Sequence, residues 1–431
     1  MQARLAARAS RVFYGWWVAL ALCVIVFVGS AFFYYGLGSF FKPIVDEFGW
    51  SYAQTAFVLS IYQLEGGLMA PVVGFLFDRV GPRRLIMLGG AILGIGAFLL
   101  SGVESYPPFL TSVLLMSVGF SIGFSGIASA TLANWFARRL SLALGVCYIG
   151  GGAGGMLVPA LVWSIDRLGW RQTAIIIGLV IWAVVLPLSL LVSHRPEERG
   201  LTVDGLKPGP RELKPAIQTR ASRPSMDSDV AVKEAIRTRA FWLLILVSAL
   251  TWAAGAALVV HQIPYLVSVG MSPQHGAFVL ALMALLSLPG RVGFGWLGDR
   301  FSRRYVMAMI FGLQALGVFA FAYAGNPWML GLYLILYGPA MGGGVPLRPS
   351  LQAECFGRRA FGSIQGIIQG VGGLAGIGGS VYAGWVYDVV GSYQTAFTLL
   401  AATIALGVIP VLLIGRPVPA KQAQVAVVPG R

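Results

Sequence analysis

The chain has 431 residues, of which 57% are hydrophobic and 11% are charged, and its mean hydropathy is +0.78. Soluble domains are about 45–50% apolar and about a quarter charged, so this composition excludes an ordinary soluble enzyme and a disordered chain. The net charge of +15 alone is compatible with nucleic-acid binding, but membrane proteins also concentrate Lys and Arg in their cytoplasmic loops. The composition indicates an integral membrane protein.

Runs of about 20 mostly apolar residues, the length of a membrane-spanning helix, recur along the whole chain. The first six are predicted near 14–41, 52–77, 84–102, 107–135, 141–164 and 173–193. A polar stretch at 194–239 carries five prolines and ten basic residues, and is predicted to be a loop or a partly ordered linker. Six more helices are predicted near 240–267, 273–297, 304–324, 328–353, 360–387 and 394–415.

The sequence therefore predicts an all-α membrane protein with twelve transmembrane helices. Its predicted parts are an N-terminal six-helix half at 1–193, a cytoplasmic linker at 194–239, a C-terminal six-helix half at 240–415 and a cytoplasmic tail at 416–431.

The basic residues indicate the orientation of the chain. With both termini inside, 26 of the 31 Lys and Arg residues fall in cytoplasmic segments, three lie outside, and Arg291 and Arg348 lie within helices. This asymmetry follows the positive-inside rule. We therefore expect a multi-pass protein of an inner or plasma membrane with both termini cytoplasmic, and no nucleic-acid partner.

Three segments of the first half recur in the second half at offsets of 220 to 222 residues. The pairs are 74–84 with 295–304, 136–139 with 356–359, and 166–174 with 388–396. Parallel repeats of six helices are a recurring plan of transporters. The repeats predict two halves related by pseudo-symmetry.

The Gly-x-Leu-x-Asp-Arg-x-Gly-x-Arg-Arg run at 74–84 resembles the loop signature of the major facilitator superfamily, and its copy follows the eighth helix. Tyr14–Trp17, with the sequence Tyr-Gly-Trp-Trp, and the Trp-Phe-x-Arg-Arg-x-x-x-Ala-x-Gly run at 135–145 are similar to the monocarboxylate transporter and oxalate/formate antiporter group. This resemblance implies the major facilitator fold. It also implies small organic anions as substrates, moved with a proton by several members.

Arg291 in the eighth helix is the main candidate for substrate binding, because ionisable residues in spanning helices are rare and functional. A guanidinium can bind a carboxylate through two parallel hydrogen bonds, and the resemblance likewise implies an arginine in the eighth helix. Ser287 stands one turn earlier, where the animal carriers have an aspartate, and no lysine occurs in the eleventh helix. A single buried cation is predicted to favour a monoanion. The alternative to substrate binding by Arg291 is a structural ion pair with Glu65.

Glu65 in the second helix and His261 in the seventh are the candidates for proton coupling, and His261 is also a candidate substrate contact. A lone histidine is more often a satisfied hydrogen-bonding residue, and Glu65 could equally pair with Arg348 or make an interhelical contact. Arg348 is expected to extend its charged head toward cytoplasmic water, and a direct contact with the substrate is the alternative. Tyr35 and Gln369 are candidates for orienting the remaining oxygens of a small acid.

A cytoplasmic gate is predicted at the loop motif and its copy. Its candidate residues are Asp78, Arg79, Arg83, Asp299 and Arg300. The carboxylates could pair with the basic ends of neighbouring helices, and exposed pairs worth about 0–1 kcal/mol would break readily during transport. Simple anchoring by the positive-inside rule is the alternative.

Together these patterns predict a secondary active transporter of a small, lactate-like monocarboxylate, working by proton symport with alternating access. An organic anion exchanger is the alternative, followed by an exporter of drugs or other hydrophobic compounds. The three scattered histidines and three isolated cysteines argue against an enzyme, a cofactor or a metal site. The expected partners are the substrate, protons and the lipid bilayer, and the expected state is a monomer.

Overall fold

The computed structural model describes residues 13–205 and 230–415, which contain helices and no strands. We number the twelve long helical units of these ranges α1 to α12. Those of the first half are α1 Gly15–Phe48, α2 Tyr52–Val80, α3 Pro82–Ser101, α4 Tyr106–Trp135, α5 Leu140–Leu168 and α6 Trp170–Ser189. Those of the second half are α7 Arg239–Ser268, α8 Pro273–Arg300, α9 Arg303–Phe321, α10 Pro327–Phe356, α11 Phe361–Val390 and α12 Tyr393–Leu413.

The predicted all-α fold with twelve spans is confirmed. Within the described ranges, ten of the units are long and apolar enough to cross a membrane. The other two, α2 with 29 residues and the glycine-rich α11 with 30, are long enough and pack against each other. A helix satisfies its own backbone polar groups, which a lipid environment requires.

Three units of the first half are interrupted. In α1 a π-helical turn at Ser30–Tyr35 is followed by a 3₁₀ turn, and α5 contains a 3₁₀ turn at Gly154–Leu157. These two interruptions pack together, because a Cβ on Gly154 would meet the backbone of Ala31. The helix of α4 breaks after Gly123 and resumes at Ile127 through Gly126, whose φ is +75°. Irregular backbone at membrane depth is tolerated where it is buried in protein or lines a cavity.

The end of α1 differs from the sequence prediction, which stopped at residue 41. The chain continues as a short amphipathic helix, Phe41–Phe48, in which Lys42 pairs with Asp46 at 3.6 Å. An apolar run cannot indicate such a segment, because its polar face interrupts the run.

Each half has its own hydrophobic core. One cluster joins side chains of α1 to α6 and the other joins side chains of α7 to α12, with Phe361 of α11 packed into the first. The residue limits of the predicted domains stay a prediction. The predicted tail and residues 206–229 of the predicted linker lie outside the described residues.

The described parts of the linker attach to one end of the bundle. The side-chain amide of Asn134 donates to the carbonyl of His194 at 3.3 Å, and the Asp204 carboxylate accepts from the backbone N–H of Arg138 at 2.9 Å. Beyond the gap, the N–H of Val230 donates to the carbonyl of Phe356 at 3.3 Å. We call this the linker end. The turns between α2 and α3, α4 and α5, α8 and α9, and α10 and α11 also lie there, and the opposite end is called the far end.

Candidate functional site

The two halves meet most closely where α2 packs on α11 and α5 packs on α8. Glycines make these contacts possible. A Cβ on Gly74 would collide with the carbonyl oxygen of Gly362, and a Cβ on Gly145 would collide with that of Arg291. Small residues allow this close approach of helices in a membrane. The linker-end part of the boundary between the halves is therefore tightly closed.

Two carboxylates cross this boundary in a reciprocal arrangement. Asp78 of α2 accepts from the N–H groups of Gly362 at 3.0 Å and Ser363 at 2.8 Å, at the start of α11. Asp299 of α8 accepts from the N–H groups of Ser141 at 2.9 Å and Leu142 at 2.8 Å, at the start of α5. The first N–H groups of a helix have no partner within the helix, and its N-terminus attracts negative charge. Each half thus caps one helix of the other half, and we call these contacts the reciprocal caps.

The predicted gate arginines lie outside the reciprocal caps. Arg79 stacks on Phe75 with 4.1 Å between its guanidinium carbon and the ring centre, Arg300 stacks on Trp296 at 5.7 Å, and the side chain of Arg83 is exposed. Among the described residues, the predicted pairing of these carboxylates with a basic side chain is found at Asp299 and not at Asp78.

The basic partner of Asp299 is Arg303, which the sequence did not single out. Its guanidinium lies 3.4 Å from the Asp299 carboxylate, and it also donates to the hydroxyl of Ser141 at 3.1 Å and to the carbonyl of Ala137 at 3.2 Å. It therefore reinforces one of the two caps. The repeat could have indicated the cap partners, because Asp78 and Asp299 are related by the same offset of 221 as Ser141 and Gly362.

Arg291 lies between α8 and α5 and is 9% exposed. One terminal nitrogen of its guanidinium donates to the carbonyl of Tyr148, whereas its buried Nε has no partner within the described part of the chain. A Cβ on Gly152 would lie 2.9 Å from the guanidinium carbon, so glycine at this position makes room for the side chain. The described residues give Arg291 no ion pair with Asp or Glu, and the alternative pairing with Glu65 is not observed.

Tyr35 is brought to the same place. It is the last residue of the π-helical turn of α1, lies against Gly155 of α5 and interacts electrostatically with Arg291. Its ring packs edge-on against that of Tyr34, with 4.9 Å between the ring centres, and both rings are exposed by more than a third. The structure therefore places Arg291 and Tyr35 together, as the sequence predicted for two groups that contact one small acid.

Arg348 of α10 points away from the linker end, contrary to the expected direction. Its Nε donates to the carbonyl of Gly344 at 3.1 Å, one turn back toward the far end. Its guanidinium carbon lies 5.9 Å from the centre of the Trp252 ring on α7. The reason is that side chains on a helix lean toward its N-terminus, which for α10 is at the far end. Arg348 also interacts electrostatically with Tyr148, the residue whose carbonyl binds Arg291.

Glu65 makes the interhelical contact that was one of its alternatives. Its Oε2 accepts from the hydroxyls of Ser117 and Ser121 on α4, the latter at 3.2 Å. Its Oε1 is buried and has no partner among the described residues. The alternative pairing with Arg348 is therefore not seen.

The contacts of His261 lie within the second half. Its Nε2 donates to the carbonyl of Ser380 at 3.0 Å, and its Nδ1 lies 3.5 Å from the hydroxyl of Tyr393. Gln369 lies at the break of α4, where its Oε1 is 3.2 Å from the position of a Cβ on Gly126. The described contacts join neither residue to Arg291.

A helical membrane protein built from two repeats, in which Arg291 lies at the boundary between them without an acidic partner among the described residues, has the organisation of a solute transporter. The sequence profile of the Major Facilitator Superfamily matches residues 22–336 and 262–429, and the chain belongs to this family. Members of this family are transporters, so the prediction that the chain is not an enzyme is confirmed.

Curated relatives confirm the predicted group within the family. Human monocarboxylate transporter 12 is 27% identical over 402 residues, which cover 89% of this chain and 78% of the relative. Monocarboxylate transporter 13 of Bos taurus is 26% identical over 401 residues, covering 91% and 88%. This chain is therefore a multi-pass membrane transporter related to the monocarboxylate transporters.

Solved structures show the same fold. The E. coli fucose:proton symporter superposes with a TM-score of 0.69 at 18% identity, covering 93% of this chain and 98% of the symporter. The human organic anion transporter MFSD10 superposes with a TM-score of 0.64 at 17% identity, covering 92% and 98%.

Proposed function

We propose that this protein is a secondary active transporter of a small carboxylate anion, with lactate-like monocarboxylates as reference substrates, and that it moves them in symport with protons. The observation that carries the proposal is the buried guanidinium of Arg291, which has an unpaired Nε and no acidic partner among the described residues. An uncompensated buried charge costs several kcal/mol, so a ligand that supplies a carboxylate would be bound strongly there. Curated relatives named monocarboxylate transporters support the substrate class.

The proposed mechanism is alternating access about Arg291. The linker end is taken as the cytoplasmic side of a cell membrane, as the positive-inside rule indicates, and both termini then lie in the cytoplasm. The reciprocal caps of Asp78 and Asp299 hold this side closed, while Tyr35 beside Arg291 receives the acid from the far end. Opening requires the caps to break, and the halves then rock about the bound substrate.

Glu65 is the first candidate to carry the proton. Its buried Oε1 has no partner among the described residues, and a proton there would remove the charge of the carboxylate. His261 is the second candidate, although both of its ring nitrogens already have neighbours. If the protein instead exchanged one anion for another, neither Glu65 nor His261 would need to bind and release a proton.

Uptake of labelled lactate into proteoliposomes, with and without an inward proton gradient, tests the proposal. Arg291→Ala should lower uptake at least about 100-fold, because removal of a buried charged contact costs about 3 kcal/mol or more. The matched control is Arg167→Ala, which removes an exposed arginine from α5 and should leave uptake unchanged.

Each outcome of this assay decides a separate question. Uptake stimulated by the gradient in the wild type supports symport, whereas uptake that needs an internal acid and ignores the gradient identifies an exchanger. Normal transport by Arg291→Ala, or failure to transport any short acid, would overturn the substrate assignment.

A further inference from the structure

The central region holds two guanidiniums where the sequence indicated one. We propose that Arg348, with Trp252 and Tyr148, forms a second anion-binding subsite next to Arg291. The preferred substrate then carries a second anionic oxygen group, as a short dicarboxylate does. This inference rests on the proposed function, since it concerns the acid that the same pathway carries.

The direction of the Arg348 side chain is the first argument. Because its Nε bonds the carbonyl of Gly344, the guanidinium is turned back along α10, away from the linker end. Arg291 of α8 lies on that side, because α8 and α10 run in the same direction and contact each other at Gly290 and Pro339. The head of Arg348 is therefore directed toward the level of Arg291 along the proposed pathway.

Tyr148 connects the two arginines. Its carbonyl accepts from Arg291, and its side chain interacts electrostatically with both guanidiniums. The same side chain is hydrogen-bonded to Ser129, in the helical segment that follows the break in α4. Groups from both halves thus meet at Tyr148, and we expect a single short ligand to bridge the two guanidiniums.

The balance of charge is the second argument. Within the described residues, Arg348 forms no ion pair with Asp or Glu, and Arg291 forms none either. The acids of α8 and α10 at the linker end, Asp299 and Glu354, are both bound to Arg303, and Glu65 is bound to serines. A monoanion would therefore compensate one of the two central charges and leave the other, whereas a dianion would compensate both.

The donors of Arg348 are the third argument. Its Nε is satisfied by Gly344, but neither terminal nitrogen has a described protein partner. The Trp252 ring lies near one side of the guanidinium and can support it by a cation–π contact. A guanidinium held in this way presents two parallel N–H donors, the geometry that a carboxylate accepts.

The test compares succinate with its monomethyl ester, which has similar length but one negative charge, as competitors of labelled lactate uptake at neutral pH. In the wild type, succinate should compete at least about tenfold better than the ester, the ratio expected for one charge-assisted contact. Arg348→Gln should abolish this preference and leave competition by the ester unchanged. Arg348→Lys, which keeps the charge, should retain part of it.

The outcomes separate this inference from the proposed function. Equal competition by succinate and its ester in the wild type would overturn the second subsite, and so would a preference that survives in Arg348→Gln. Lactate uptake that still depends on Arg291 would leave the proposed function standing in either case. If chloride or formate tightens binding of the ester in the wild type, the subsite holds a separate anion and the inference about the substrate fails. If the Arg348 variants do not fold, the wild-type comparison decides alone.

Discussion

At the residue scale, the position of Arg291 depends on the absence of side chains at two glycines of the facing helix α5. Gly152 of α5 carries no side chain where the guanidinium passes, and neighbouring Gly151 leaves similar space. A guanidinium needs hydrogen-bond acceptors as well as room, and the carbonyl of Tyr148 supplies one acceptor. The charge is therefore held by the shape of α5 more than by any ionic partner.

This dependence predicts the effect of one methyl group. In Gly152→Ala the new Cβ would lie 2.9 Å from the guanidinium carbon and close to Leu288, so Arg291 must shift. The KM for lactate uptake should rise by about 10- to 100-fold, which corresponds to a lost charge-assisted hydrogen bond. The matched control is Gly255→Ala, because no atom lies within 4 Å of a Cβ at that position. Equal KM values for the two variants would contradict this account of the site.

The sequence indicated Arg291 because a charge within an apolar run is conspicuous, and it indicated Tyr35 among several possible polar groups. It could not indicate the carbonyl of Tyr148, which lies 143 residues away in sequence. The expected direction of the Arg348 side chain was wrong for a related reason. The expectation considered only the distance to water along α10 and not the acceptor one turn back at Gly344.

At the element scale, the hydrophobic runs and the repeats were sufficient to predict twelve helices in two halves. They could not reveal the interruptions in α1, α4 and α5, because these segments are as apolar as regular helix. For the linker, the sequence predicted the irregular structure but not how it is held. Its prolines and charges predicted irregular structure, but not the contacts by which Asp204 and the chain near His194 attach to the first half.

His194, at the start of the linker, makes the free energy of unfolding depend on pH. Its ring packs against Phe77 and the turn at Gly81, and burial, together with Arg195, holds the pKa of its imidazole below the ordinary value of 6.5. The folded protein then binds this proton less tightly than the unfolded chain. The free energy of unfolding should therefore fall as the pH drops below 6.5 and level off below the folded pKa.

Melting temperatures measured across this pH range would check the prediction. His194→Gln should remove part of the decrease on the acid side, whereas His275→Gln, which replaces an exposed histidine at the far end, should not. Identical pH profiles for the wild type and His194→Gln would show that this histidine does not contribute.

At the scale of the whole molecule, the reciprocal caps should break together. If the halves part as rigid bodies, a change at one cap must loosen the other. Asp78→Asn weakens the cap on α11, and the loss of a helix cap costs about 0.5–2 kcal/mol, equivalent to about a 2- to 30-fold shift in an opening equilibrium. Hydrogen exchange should accelerate at Gly362 and Ser363, and also at Ser141 and Leu142, which Asp78 does not touch.

The control for this prediction is Asp46→Asn, which removes an exposed carboxylate at the far end. Faster exchange confined to Gly362 and Ser363 in Asp78→Asn would mean that the two contacts open independently. The two halves would then not move as single bodies.

The reciprocal caps also bear on the origin of the molecule. Each half donates one carboxylate and receives the other, so the same pair of surfaces is used twice with the roles exchanged. Such self-complementarity is the defining property of an isologous contact between two identical subunits. The boundary inside this single chain therefore has the form of a homodimer interface. Within the described ranges, the two arginines that lie away from the ends of their helices and form no ion pair, Arg291 and Arg348, both belong to the second half, so the two halves differ in charge while their interface keeps this symmetry.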